Sequence, residues 1–206
     1  DLDNSNGIDL SNLENDLLTF YRSNVGYADV TAKTQIGEWG VRRTTLKFPI
    51  LYALGLTSHA NEPLHLKVEV SQHRQTSIVQ RTPVLLFGRS FVASHFSLET
   101  MMAGKFLACL ERNFQKGEGA AIKGRDFYDL LWFMQQKIKP LEEKLANDGR
   151  QSYTVQSAME LLGEKIAEMK ISDLAEDLLP LFEQRSFIEA WLEGYKENFR
   201  QYVKNY

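Results

Sequence analysis

The chain has 206 residues, 43% of them hydrophobic and 25% charged, enough apolar material for one ordinary domain or two small ones. Its 27 acidic and 24 basic side chains leave a formal net charge of −3, which excludes a global attraction to nucleic acid or to an anionic membrane. No apolar run reaches the roughly 18 residues of a membrane span, and the opening Asp-Leu-Asp-Asn-Ser-Asn-Gly-Ile-Asp lacks the basic and apolar stretches of a signal peptide, so a cytoplasmic protein is expected.

Ser11-Asn12-Leu13-Glu14 reads as a capping box, with Ser11 as the N-cap of a helix that carries Leu13, Leu17, Leu18 and Tyr21 and ends near Ser23-Asn24. From Tyr27 to about Gly88 the texture turns to β. Strands are expected over Tyr27–Ile36, Gly40–Leu54, His65–Ser71 and Pro83–Phe87. In His65–Ser71, Leu66, Val68 and Val70 alternate with Lys67, Glu69 and Ser71. Gly55–Pro63 and Gln72–Thr82 read as polar connections, the second as a mobile loop.

From Ser97 onward the pattern is helical. Ser97 is the expected N-cap of a helix to about Phe114, followed by the glycine-bearing loop Gln115–Gly124 and a helix over Arg125–Lys137. Further helices are expected over Pro140–Asn147, Val155–Met169, Ser172–Phe182 and Phe187–Tyr202. The last carries a stripe of Phe187, Trp191, Tyr195, Phe199 and Tyr202, read as core packing. Strands followed by a block of helices make an α+β protein, with a sheet domain over 1–96 and a helical domain over 97–206.

Few residues carry recognisable chemistry. Lys105 and Arg112 are seven residues apart, so they project almost in the same direction from one helix. Two cations on an otherwise apolar face need an anionic partner, and Asp126, Asp129 and a phosphate-bearing ligand all qualify. Asp126 follows Arg125 at a helix start, where a carboxylate suits the first turn. Glu69 sits inside a strand, where glutamate is disfavoured, with Lys67 as a possible partner. Asp1-Leu2-Asp3 puts two carboxylates on one face of an extended segment, and beside Glu69 they would form a three-carboxylate Mg²⁺ site. The histidines lack metal-ligand spacing. Cys109, the single cysteine, is expected to be a buried structural thiol in a reducing compartment.

Taken together, the order Asp1-Leu2-Asp3, Lys67-Val68-Glu69-Val70, Ala103…Lys105…Ala108…Arg112 and Arg125-Asp126-Phe127-Tyr128-Asp129-Leu130 resembles the AbiEii/AbiGii toxin family. These are nucleotidyltransferase-like proteins of bacterial toxin–antitoxin systems, within the polymerase-β-type superfamily. The resemblance implies a small mixed β-sheet nucleotidyltransferase core followed by a helical region. The core is N-terminally incomplete here, because the family's Gly-Ser turn is expected upstream of Asp1. By the same resemblance Asp1, Asp3 and Glu69 bind Mg²⁺, and Lys105, Arg112 and Arg125 bind the nucleotide. Asp126 or Asp129 supplies the later acidic residue. The implied reaction transfers a nucleoside monophosphate from a nucleoside triphosphate to a hydroxyl of RNA (tRNA among them), a protein or a small molecule. A cognate antitoxin is the implied partner, and an RNA acceptor implies basic groups near Arg42, Arg43, Arg74 and Arg81. The alternative is a non-catalytic interaction protein on a degenerate scaffold of the same kind.

Overall fold

The structure is a computed structural model that describes residues 2–3, 9–37, 40–71, 75–112 and 122–206, the first two by their backbone alone. The chain forms two compact units, Asp1–Gln75 and Thr76–Tyr206. It is a mixed α and β protein whose C-terminal region is helical.

The first unit holds a four-stranded sheet in the order β1-β4-β3-β2, with β1 Leu2–Asp3, β2 Thr31–Ile36, β3 Arg42–Phe48 and β4 Leu64–Ser71. β1 runs parallel to β4, with Leu2 level with Val70 and Asp3 level with Ser71. β2, β3 and β4 are antiparallel neighbours. Helix α1, Leu13–Thr19, continues as a π-helical turn over Phe20–Asn24. Tyr21 and Tyr27 place their rings 5.0 and 5.6 Å from that of Phe48, which seats this turn on β3. The core here is thin, with Val30, Leu46 and Val70 buried. Leu66, expected on the apolar face of its strand, is 41% exposed.

The capping box is not formed. Asn12 is the N-cap and no side chain caps the helix, because Ser11 donates from both its N–H and its hydroxyl to the carboxylate of Asp9 at 2.8 and 2.9 Å. A nearby acceptor outcompeted the helix end for the serine.

The second unit begins with a two-stranded antiparallel sheet, β5 Val79–Leu86 and β6 Arg89–Phe96. Only part of β5 was expected as strand. The turn between them places Phe87 at φ 50° and Gly88 at φ 72°, the double left-handed geometry of a tight hairpin. Phe-Gly lacks the usual Asn-Gly or Asp-Gly signature, so β6 left no turn signal in the sequence. The hairpin compacts with the helices, so the unit boundary lies at 75/76, whereas the change of sequence texture lies near 96.

The loop expected over 72–82 is also redrawn. Residues 72–74 lie outside the described residues, but Thr82 is in β5 and the approach to it is tied down. Ile78 donates its N–H to Thr100 Oγ1 at 2.9 Å. Thr76 donates its N–H at 2.9 Å and its hydroxyl at 2.8 Å to the carboxylate of Asp148, which Lys144 Nζ also approaches at 2.6 Å.

Burial opposes charge on Asp148, but the hydrogen bonds from Lys144 and Thr76 outweigh it and hold its pKa below the ordinary carboxylate value. A depressed folded-state pKa adds stability that is present above the unfolded value and lost as pH falls through the folded one. Acid titration of wild type against Asp148→Asn, followed by circular dichroism, is therefore expected to show a stability advantage that shrinks below about pH 4.

Helices fill the rest of this unit: α2 Leu98–Glu111, α3 Gly124–Gln135, α4 Glu142–Asp148, α5 Val155–Glu168, α6 Ile171–Leu178 and α7 Arg185–Val203. Ser97 caps α2 as expected, accepting the N–H of Thr100 at 3.2 Å. Most of the loop at 115–124 lies outside the described residues. The core joins Met102 and Phe106 of α2, Phe127, Leu130 and Met134 of α3, and Tyr195 and Phe199 of α7. Phe187, at the start of the aromatic stripe, is 49% exposed and does not join it.

Candidate functional site

Met102, Phe106 and Cys109 turn one face of α2 into the core, and Lys105 and Arg112 emerge beside it. Opposite them, α3 begins unusually close to α6. A Cβ built on Gly124 would lie 3.0 Å from the carbonyl oxygen of Leu174 and 3.2 Å from Asp177 Cβ, so any larger residue would have to push α6 away by a few tenths of an ångström. That start sets Asp126 in the first turn of α3 and Asp129 three residues on.

The four side chains meet. Lys105 Nζ lies 3.0 Å from Asp126 Oδ1 and 2.7 Å from Asp129 Oδ2, and Arg112 Nη1 lies 2.6 Å from Asp126 Oδ2. Asp126 is the buried hub, its side chain 4% exposed with one cation on each oxygen. The side chains of Lys105, Arg112 and Asp129 are 31%, 45% and 43% exposed and so keep a face to solvent. Burial works against the charge of Lys105, but the hydrogen bonds it donates to Asp129 and Asp126, and their charges, outweigh it and raise its pKa. The lysine is therefore a permanent cation at neutral pH.

Arg112 owes its position to a contact across the helices. Lys165 of α5 donates to the carbonyl oxygens of Cys109 at 2.5 Å and Leu110 at 3.2 Å. It satisfies the open carbonyls at the end of α2, where Arg112 leaves the helix in an extended conformation. No local pattern in the sequence announces this, since the partners are 56 and 55 residues apart. Arg125 does not join the quartet. It faces Asp177 of α6, with its N–H 3.2 Å and its Nε 3.5 Å from Oδ2.

In the first unit Glu69 is ion-paired with Arg43, which the β3–β4 register sets directly opposite it. Lys67, the partner weighed from sequence, lies opposite Thr45. Glu69 and Arg43 line an open cleft of about 780 Å³ with Gln35, Ile36, Gly37 and Val41. Asp3 is placed by its backbone beside Ser71, two residues past Glu69. Asp1 lies outside the described residues, as does Arg74. Among the described residues, no group of three His, Cys, Asp or Glu side chains could hold a metal ion.

Cys109 is buried, and its apolar surroundings, with the nearby Asp126 charge, push its thiol far above the ordinary range. A thiol reagent such as DTNB is expected to label the folded protein at a negligible rate and to label one thiol per chain after denaturation. Fast labelling of the folded state would contradict this packing.

The family model described as "Nucleotidyl transferase AbiEii toxin, Type IV TA system" matches residues 5–205. The chain belongs to the AbiEii family. It is thus a member, at family level, of the nucleotidyltransferase toxins of type IV toxin–antitoxin systems. The match takes in Glu69, Lys105, Arg112, Arg125, Asp126 and Asp129, and it begins after Asp3. No curated protein matches the chain. Among the described residues, no helix of this AbiEii member is long and apolar enough to cross a membrane.

Proposed function

We propose that this protein transfers a nucleoside monophosphate from a nucleoside triphosphate to a hydroxyl of an acceptor, RNA first among the candidates, and that this is its toxic activity. A cognate antitoxin would restrain it. Within an AbiEii nucleotidyltransferase, the observation that carries the reading is the quartet on α2 and α3. Two cations are held in place by carboxylates while keeping an exposed side for phosphate.

In this reaction the acceptor oxygen attacks the α-phosphorus. The bond from that phosphorus to the bridging oxygen of the β-phosphate breaks, pyrophosphate leaves and the hydroxyl loses its proton. Lys105 would meet the triphosphate as a point charge and Arg112 as a planar fork. Asp129 is the better proton acceptor of the two aspartates, because Asp126 is buried and spends both oxygens on the two cations. Asp126 then positions Lys105 and Arg112. Arg125, occupied by Asp177, would bind nucleotide only by leaving that partner.

Asp1, Asp3 and Glu69 would hold Mg²⁺. Carboxylate oxygens are the hard donors that ion takes, and the reading is supported by the β1–β4 register, which sets the Asp3 backbone beside Ser71, two residues past Glu69. The ion would neutralise triphosphate charge and polarise the phosphoryl group. Glu69 must share its carboxylate with Arg43 or release it.

The rival, a non-catalytic interaction protein, draws on the same quartet, since two cations and two carboxylates already neutralise each other. One assay separates the two. The full-length protein is incubated with each labelled nucleoside triphosphate, Mg²⁺ and total RNA, with Glu69→Gln as control. Transfer of label that falls at least about 100-fold in the variant is expected. No transfer to any acceptor, with the fold intact, would favour the rival.

A further inference from the structure

The aromatic stripe of α7 divides in two. Tyr195 and Phe199 go into the core, whereas Trp191 and Tyr202 turn to α3 and meet Tyr128 and Trp132. Between the two helices lies a pocket of about 200 Å³. The rings of Tyr128 and Trp191 stand 4.9 Å apart at 43° and form one wall. Trp132 stands edge-on to Phe133, with ring centroids 5.1 Å apart, and is 45% exposed. Gln135 and Asn198 also line the pocket, and the carboxamide of neither has a hydrogen-bond partner among the described residues.

We propose that this pocket between α3 and α7 binds a single nucleobase, stacked on the aromatic rings and read along its edge by Gln135 and Asn198. Its volume is below the roughly 300 Å³ at which pockets for drug-sized ligands begin, so it suits one ring system. Indole and phenol rings stack on the face of any base. Each carboxamide offers a donor and an acceptor side by side, the pattern that pairs with base edges. No carboxylate or cation lines the pocket, so an organic cation or a bare phosphate finds no charge partner there. The unpaired amides also distinguish it from a purely apolar groove.

The base can come from the free nucleoside triphosphate or from an unpaired residue of an RNA acceptor. In this respect the inference rests on the proposed nucleotidyl transfer, but its test is binding and needs no catalysis. Trp132 and Trp191 are two of the three tryptophans in the chain, so fluorescence of the full-length protein, checked by calorimetry, reports on the pocket directly. The probes are a nucleoside, a nucleoside triphosphate without metal, a single-stranded RNA oligonucleotide, and ribose 5-phosphate as the ligand without a base.

Saturable quenching by base-bearing probes and none by ribose 5-phosphate is expected. Trp132→Ala should weaken binding about tenfold or more, and Trp132→Phe, read through Trp191, should restore most of it. Gln135→Ala with Asn198→Ala should flatten the preference among the four bases. Tighter binding of the oligonucleotide than of the triphosphate assigns the pocket to the acceptor, and the reverse order assigns it to the incoming nucleotide. Equal response to ribose 5-phosphate, or unchanged binding in a folded Trp132→Ala variant, overturns the proposal. Base binding that persists in a protein with no transferase activity would sink the nucleotidyl-transfer reading and leave the pocket standing. Transfer without base binding would do the opposite.

Discussion

Replacing Asp126 with alanine is expected to destabilise the helical unit by about 2–3 kcal/mol and to lower its thermal midpoint by roughly 5–10 °C. Asp126 is buried and holds Lys105 with one oxygen and Arg112 with the other. Removing one member of a buried pair leaves its partners uncompensated, which costs about 3–5 kcal/mol where those partners are buried too. Here both cations keep an exposed side and can rehydrate, so the cost falls to the bottom of that range or below it. Asp126→Asn keeps the shape and one acceptor and should fall between wild type and alanine. The raised pKa of Lys105 adds a second signature. Its contribution to stability is complete below the unfolded value, about pH 10, and is lost as pH rises through the folded one. Calorimetric scans of wild type and variants from neutral to alkaline pH would check both effects. An Asp126→Ala midpoint equal to wild type would mean that the quartet does not hold α2 to α3.

Lys105→Ala is expected to separate activity from stability. Its side chain is partly exposed, and Asp126 keeps Arg112 when the lysine goes. The loss of stability should therefore stay within about 1 kcal/mol. Nucleotidyl transfer should fall by about 10²–10³-fold, the range seen when one preorganised charge contact to a transition state is removed. Lys105→Arg should recover little, since a planar fork does not replace a point charge that two carboxylates have oriented. Transfer that survives Lys105→Ala would refute the phosphate role of the lysine. Loss of activity together with a large loss of stability would make it a structural residue.

Some of this was legible in the residues. Each expected helix of the C-terminal half exists within a few residues of its expected bounds, because the 3.6-residue period and the Ser97 cap act locally. The spacing that puts Lys105 and Arg112 on one face could be read because helical geometry relates them, and Asp126 was one of the candidate partners that the sequence left open. The hairpin was half missed. Arg89–Phe96 has residues on both faces open to solvent, so selection for an alternating apolar pattern was weak there. Ser11 was misassigned because a hydroxyl has several acceptors in reach and sequence does not rank them.

The partners that shape the candidate site are the part sequence could not supply. Arg43 reaches Glu69 because two strands 26 residues apart share a register, and Asp177 takes Arg125 across 52 residues. Lys165 ends α2 from a helix more than 50 residues away. None of these choices follows from spacing, since each depends on which elements pack side by side. By itself the sequence determined the class of fold, the helical faces and the family motifs, all of which arise from interactions within a few turns of chain. Tertiary structure alone decided which charge answers which, that Asp126 is the buried hub, and that Phe187, Trp191 and Tyr202 of the aromatic stripe line a pocket. Burial and pairing are properties of packed neighbours, and only the fold brings those neighbours together.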